Sequence, residues 1–293
     1  MLEAVAGTRN GNVALRDGRM LGFDDIGDPS GSPILYFHGF GSSRLVRHPD
    51  DDIAGRLGAR IIAVDRPGIG RSSRQPGRRL LDWPHDVREL ADKLGLERFA
   101  VLGWSGGGPY ALACAWVMPE RVTVVGLVNG PAPLAGVRPV DYLLRTHRAA
   151  ARAADRAPWM IRVAMWRWAR AQRRDPERHL DEAIAKMVEA DRALIADPTV
   201  RALMLANAEE MKRQGGRGLY DEALIMARPW GFRLRDVRVP VLLWHGDDDP
   251  SVPVLMGRYV AEELPDCRAA FYPGEGHHLL FDRWEEIIAA VIA

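Results

Sequence analysis

Four short runs, residues 34–37, 61–64, 99–102 and 241–244, are apolar at every position, and two more, 122–128 and 268–272, follow the same rhythm between helical patterns. A strand with one wet face alternates polar and apolar residues, whereas a strand that is apolar throughout is covered on both faces. Runs of this kind separated by helices require a mostly parallel sheet between two helical layers. Nearer the amino end, residues 12–15 and 20–26 flank Asp17-Gly18 and read as a hairpin.

The predicted helices carry their own signals. Asp82 stands as an N-cap with Pro84 in the first turn, Val87, Leu90, Ala91 and Leu94 share one face, and Gly95 is the stop. Residues 106–118 hold no charged side chain and end at Pro119, which predicts a helix hidden all round behind the centre of the sheet. From residue 132 to 232 strand-like runs vanish, and helical patterns are broken at Pro158, Pro176, Pro198 and Gly215-Gly216. About a hundred residues is too long for a loop in a compact domain. A helical subdomain is expected at 132–232, inserted into a core made of residues 1–131 and 233–293.

Composition narrows the functional classes. The 293 residues carry 40 Lys plus Arg against 39 Asp plus Glu, a net charge of +1, which argues against a surface built to hold nucleic acid. Only Lys93, Lys186 and Lys212 are lysines, so arginine supplies nearly all the positive charge. Within the insertion that charge is segregated: residues 138–174 hold ten arginines against Asp141 and Asp155, and residues 175–210 hold nine acids against four basic residues. The two blocks are expected to pair through exposed ion bridges. Cys114 and Cys267 form no C-x-x-C, residues 1–11 hold no apolar leader core, and no run approaches the roughly 18 apolar residues of a membrane span. A cytoplasmic protein is expected, as a monomer or a homodimer. G-x-G occurs at 39–41 and 68–70 without the third glycine of a dinucleotide site, and the histidines include no H-x-x-x-H or H-E-x-x-H. No cofactor and no metal are expected.

Chemistry concentrates in three segments. Gly103-Trp104-Ser105-Gly106-Gly107 is a G-x-S-x-G pattern between the run at 99–102 and the uncharged helix, the context that holds a serine on a sharp strand-to-helix turn with its hydroxyl exposed. The helix N-terminus favours negative charge developing there. A serine hydroxyl needs a base, and the base needs an orienting acid. Gly246-Asp247-Asp248-Asp249-Pro250-Ser251-Val252-Pro253 follows one predicted strand and Gly274-Glu275-Gly276-His277-His278 the last, giving the chain order Ser, Asp, His. One Asp and one His suffice, and spacing alone does not choose among them.

Together these segments resemble the α/β-hydrolase family over the whole chain outside the insertion. His38-Gly39-Phe40-Gly41 is similar to the family's HG-x loop, and Asp65-Arg66-Pro67-Gly68-Ile69-Gly70-Arg71-Ser72 to its D-x-x-G-x-G-x-S turn. The resemblance implies an α/β fold with Ser105 as nucleophile and His277, through the match to G-x-G-H, as general base. It implies Asp249 as the orienting acid, through the match to G-x-x-D-x-x-V-P, and the backbone N–H groups of Phe40 and Gly106 as the oxyanion hole. Haloalkane dehalogenases and epoxide hydrolases of the family carry aspartate at the elbow, so a serine implies acyl transfer. An insertion at this place implies a cap over the nucleophile.

Candidate pocket residues are Trp104, beside the nucleophile, and Trp159, Met165, Trp166 and Trp168 of the insertion. A soft, aromatic lining suits an apolar and adaptable substrate, although helices packed on a sheet need the same residues. The expected activity is hydrolysis of small to medium, largely apolar carboxylic esters through an acyl-enzyme. The same triad also serves C–C bond hydrolases, perhydrolases of the haloperoxidase type, aminopeptidases and lactonases, and a low-turnover small-molecule receptor would keep the fold.

Overall fold

The computed structural model describes residues 9–135 and 145–293. Eight strands, β1 (Arg9–Ala14), β2 (Met20–Gly27), β3 (Ser32–Phe37), β4 (Ala59–Val64), β5 (Phe99–Trp104), β6 (Val122–Val128), β7 (Val241–Gly246) and β8 (Cys267–Tyr272), form one sheet in the order β1-β2-β4-β3-β5-β6-β7-β8. β1 and β2 pair antiparallel, as do β2 and β4, and every other neighbouring pair is parallel. Helices α1 (Asp52–Arg56), α2 (Trp83–Lys93) and α3 (Gly108–Val117) lie within the first part of the chain. Between β6 and β7 come α4 (Arg145–Arg156), α5 (Pro158–Arg174), α6 (Pro176–Ile184), α7 (Glu189–Ala196), α8 (Pro198–Glu210) and α9 (Arg217–Ala227). α10 (Val254–Glu263), α11 (Leu279–Asp282) and α12 (Trp284–Ile292) complete it.

The apolar runs divide by parity, as a period of two dictates. Leu35, Phe37, Ile62, Val64 and Val101 face one core with Val87 and Leu90 of α2 and Ala111 and Leu112 of α3. Ile34, Tyr36, Ile61, Ala63 and Leu102 face a second core with Ile53 of α1 and Ile287 and Ile288 of α12. Ile195 of α7 and Val200 of α8 join that second core, so the insertion is seated on the body of the protein by apolar burial.

Pro158, Pro176 and Pro198 are each the first residue of a helix, where the missing N–H has no partner to lose. The turn between α6 and α7 has no proline or glycine, and sequence pattern did not mark it. Asp82 is the N-cap residue of α2, with Pro84 in its first turn, but its carboxylate accepts the Arg79 N–H at 2.7 Å and closes a 3₁₀ turn, so α2 has no side-chain cap bond. The uncharged helix is buried from Gly108 to Ala115, but Trp116 emerges, 37% exposed, to stack on Phe232 at 5.6 Å. Among the described residues from Arg152 onward the expected bridging of the two charged blocks is not found. Arg201 of α8 pairs with Glu177 and Asp181 of α6, within the acidic block, and Glu210 turns to Arg44 of the core. Among the described residues no acid of that block pairs with the arginines from Arg152 to Arg174, and Arg138 and Asp141 lie outside the described residues. Among the described residues no helix is long and apolar enough to cross a membrane.

Candidate active site

Strands β3 to β8 run in the same direction, so the turns that leave their carboxyl ends share one edge of the sheet, the place where open α/β sheets bind ligands. Ser105 follows β5 directly and holds φ at +51°, a left-handed conformation that side-chain-bearing residues rarely adopt. The turn is this sharp because its flanks lack side chains. A Cβ on Gly103 would stand 2.6 Å from the Gly107 carbonyl oxygen, and one on Gly107 would collide with the carbonyl of Phe37 in β3. Ser105 is only 8% exposed, so its hydroxyl lies beneath the surface and not in open solvent.

The turn after β7 brings Asp249 to His277, whose Nδ1 donates to Oδ2 at 2.7 Å. A carboxylate only accepts, so the proton is held on Nδ1 and the Nε2 lone pair is left for a partner. Asp249 is itself fixed on every side. Its Oδ1 accepts the backbone N–H groups of Ser251 and Val252 at 2.7 and 2.9 Å, and its Oδ2 also accepts Asn129 Nδ2 at 2.6 Å. Asp248 is exposed, and Asp247 lies 3.7 Å from Arg258, so the aspartate triplet separates into one buried member and two outside. Burial works against the Asp249 charge, but the His277 imidazole and the surrounding donors outweigh it and hold the carboxyl below the usual range. Burial likewise works against a charged His277, and Asp249 together with Asp191 overcomes it and raises the imidazole above its ordinary value.

Asn129 and Asp191 were not singled out from sequence. Asn129 ends β6 at φ +49°, and its amide also donates to the Gly276 carbonyl at 2.9 Å, tying the acid turn to the histidine turn. An Asn-Gly pair just past a predicted strand was the available signal, since asparagine tolerates the left-handed region. Asp191 of α7 accepts the backbone N–H of His277 and of His278, and nothing in a helical insertion of mixed charge marks that one acid. Trp104 is 4% exposed and donates Nε1 to the His277 carbonyl at 3.0 Å, its ring 5.4 Å from the imidazole, so the residue next to Ser105 holds the histidine turn against the elbow.

The loop after β3 lies against the same elbow. A Cβ on Gly106 would stand 2.7 Å from the Phe40 nitrogen. Beneath the loop, the fully buried Arg66 donates to the carbonyls of His38 and Gly39, the latter at 3.0 Å, and pairs with Glu222 of α9. Arg78 reaches Glu222 at 3.5 Å, and Arg66 lies over the Tyr110 ring at 4.6 Å. In a trans peptide the carbonyl and the N–H point in opposite directions. With the Gly39 carbonyl turned down to Arg66, the Phe40 N–H is turned away from Arg66.

Of the candidate pocket residues in the insertion, Trp168 reaches this region and stacks on Phe40 with ring centres 6.3 Å apart. Met165 packs beside it on a cluster of Ile69, Ala169, Met211 and Leu219. Trp159 and Trp166 are 63% and 62% exposed and point to solvent, so a tryptophan-rich helix here divides between a packed face and a wet one.

A model of the alpha/beta hydrolase fold matches residues 32–283. A protein of Azorhizobium caulinodans named "Putative carbamate hydrolase RutD" is 30% identical over 246 residues, covering 82% of each chain. The poly(3-hydroxyalkanoate) depolymerase of Ectopseudomonas oleovorans is 25% identical over 282 residues, covering 91% of this chain and 85% of its own. The crystal structure of a hydrolase from Pseudomonas aeruginosa PA01 superposes with a TM-score of 0.73 at 20% identity, over 97% of this chain and 98% of that one.

Proposed function

Since the chain belongs to the alpha/beta hydrolase fold family, we propose that it is a serine hydrolase cleaving carboxylic esters of small to medium, largely apolar substrates. The observation that carries the reading is the left-handed Ser105 elbow together with the His277–Asp249 pair, the two turns tied by the Trp104 Nε1 bond to the His277 carbonyl. In this reading His277 Nε2 takes the Ser105 proton as the oxygen attacks the ester carbonyl, and Asp249 stabilises the imidazolium. The oxyanion is met by the N–H groups of Phe40 and Gly106, and the imidazolium then protonates the leaving alcohol. Water repeats the sequence on the acyl-enzyme. Helices α4 to α9 act as a cap, with Trp168 on Phe40 as the apolar wall nearest the oxyanion loop.

The two relatives support acyl chemistry at a carbonyl but divide over the bond, since the name of one specifies a carbamate and that of the other a polyester. A carbamate substrate is therefore the second reading, on the same residues. Turnover of p-nitrophenyl acetate and butyrate against a matched aryl carbamate, by wild type and Ser105→Ala, separates them. Ester turnover lost in the variant supports the first reading. Carbamate turnover alone supports the second, and wild-type rates in the variant contradict both.

A further inference from the structure

A concave surface lies between α5 and α9; Ser105, Asp249, His277, Phe40 and Gly106 do not line it, while Met165 and Trp166 of the insertion do. It is a cleft of about 930 Å³ whose walls carry Arg162, Arg170, Arg173 and Arg174 from α5 and Arg217 from α9, with Arg74 at its edge. The arginines buried in the core are matched with carboxylates, Arg44 with Asp24 and Asp65 and Arg66 with Glu222, whereas among the described residues single surface arginines such as Arg98, Arg167 and Arg268 are not; the cleft differs in gathering several unmatched ones on one wall. In the cleft only Arg74 is so matched, by Asp221 at 2.6 Å. Arg173 reaches the Lys212 carbonyl, and among the described residues no carboxylate pairs with Arg162, Arg170, Arg173, Arg174 or Arg217.

Residues 162, 166, 170 and 173–174 recur at helical spacing, so guanidinium groups of like charge stand together on one face of α5, an arrangement that costs free energy without a counter-charge. Trp166, on that same face, keeps its ring 62% exposed with the Arg170 guanidinium 5.7 Å from its centre, and Tyr220 lines the cleft from α9. The volume lies within the range of small-molecule sites, about 300–1,000 Å³. Guanidinium forks match phosphate oxygens two at a time.

We propose that this cleft binds a small organic phosphate carrying two or more phosphate groups and an aromatic ring, the phosphates held by Arg162, Arg170 and Arg174 and the ring lying on Trp166. The proposal stands independently of the ester reading.

Titration of the full chain with ATP, adenosine and tripolyphosphate, followed by calorimetry at low and at high salt, tests it. ATP is expected to bind, tripolyphosphate to bind more weakly, adenosine not to bind, and salt to weaken both anions. The double substitution Arg170→Ala, Arg174→Ala should weaken ATP by about tenfold or more, the equivalent of one lost charge-assisted hydrogen bond, with melting temperature and p-nitrophenyl butyrate turnover unchanged. Trp166→Ala should weaken ATP by roughly tenfold and leave tripolyphosphate alone. No binding of either anion, or undiminished binding by the arginine variant, overturns the site. Equal affinity for ATP and tripolyphosphate, insensitive to Trp166, overturns the ring contact.

Discussion

The carboxylate of Asp191 spans the histidine turn, Oδ2 accepting the His277 N–H and Oδ1 the His278 N–H, each at 2.9 Å. A helix of the insertion thus fixes the backbone of the proposed base, which Trp104 holds from the other side. In the proposed reading α7 of the insertion sets the position of one of the groups that would act on the nucleophile. Asp191→Ala leaves two buried N–H groups without their acceptor. A loss of ~1.5–3 kcal/mol is expected, since a hydrogen bond to a charged group contributes about that much. Urea denaturation measures it, and kcat should fall more than KM changes. A variant with wild-type stability and kcat would show that the contact positions nothing.

Asp249→Asn offers His277 an amide where it now meets a carboxylate, so the imidazole loses both its charge partner and the signal that fixes its tautomer. A fall in kcat of roughly 10⁴-fold is expected, as for other serine triads. Asp247→Asn and Asp248→Asn should remain near wild type, because neither residue touches His277. Steady-state kinetics on p-nitrophenyl butyrate compares the three directly.

His277 is raised above 6.5 by Asp249 and Asp191 against the pull of burial. The base works only when neutral, so kcat/KM should be lost as pH falls through a value above 6.5 and should recover above it. Asp191→Asn removes one of the raising charges and should move this limb to lower pH. The stability sign follows from linkage. The raised His277 contributes fully below the unfolded value and loses its contribution as pH rises through the folded one. The depressed Asp249 contributes above the ordinary carboxylate value and is lost as pH falls. A limb that stays in place in the variant would contradict the assignment.

Among the described residues Glu222 is the one carboxylate that meets the buried guanidinium groups of Arg66 and Arg78. Glu222→Gln strands positive charge in the interior, and breaking a buried pair on one side typically costs about 3–5 kcal/mol. The same change frees the Gly39 carbonyl's clamp, so the surviving folded fraction should also turn over ester more slowly. Thermal unfolding and kinetics at a temperature where the variant is folded separate the two effects.

The four runs that are apolar at every position were legible because continuous apolarity has one physical cause, burial on both faces; the other four predicted runs are strands too, with β1 and β8 at the partly exposed edges of the sheet. The elbow was legible because Gly103 and Gly107 are demanded by close approach and leave a spaced pattern. Asp249 and His277 could be reached only through family resemblance, since an aspartate triplet and a histidine pair look alike along the chain; burial sets Asp249 apart, and its hydrogen bond to His277 sets that histidine apart from His278. Asn129, Asp191, Arg66 and Glu222 act through partners distant in sequence, and no local spacing records a contact between a cap helix and a core turn. Asp82 stands at the N-cap position as expected, but its carboxylate bonds the Arg79 N–H of the preceding 3₁₀ turn instead of the first turn of α2. Among the described residues from Arg152 onward the insertion's charge blocks do not bridge, because Glu177, Asp181, Glu182 and Glu189 pair with basic residues of their own block while Asp191 and Glu210 turn to core groups.

The most direct test of the central claim is mass spectrometry of the intact protein and its peptides after treatment with a fluorophosphonate. The account predicts one adduct per chain, on the peptide containing Ser105, formed in step with loss of ester hydrolysis and absent in Ser105→Ala. Full loss of hydrolysis with the adduct on another residue, or hydrolysis persisting after Ser105 is stoichiometrically labelled, would contradict it.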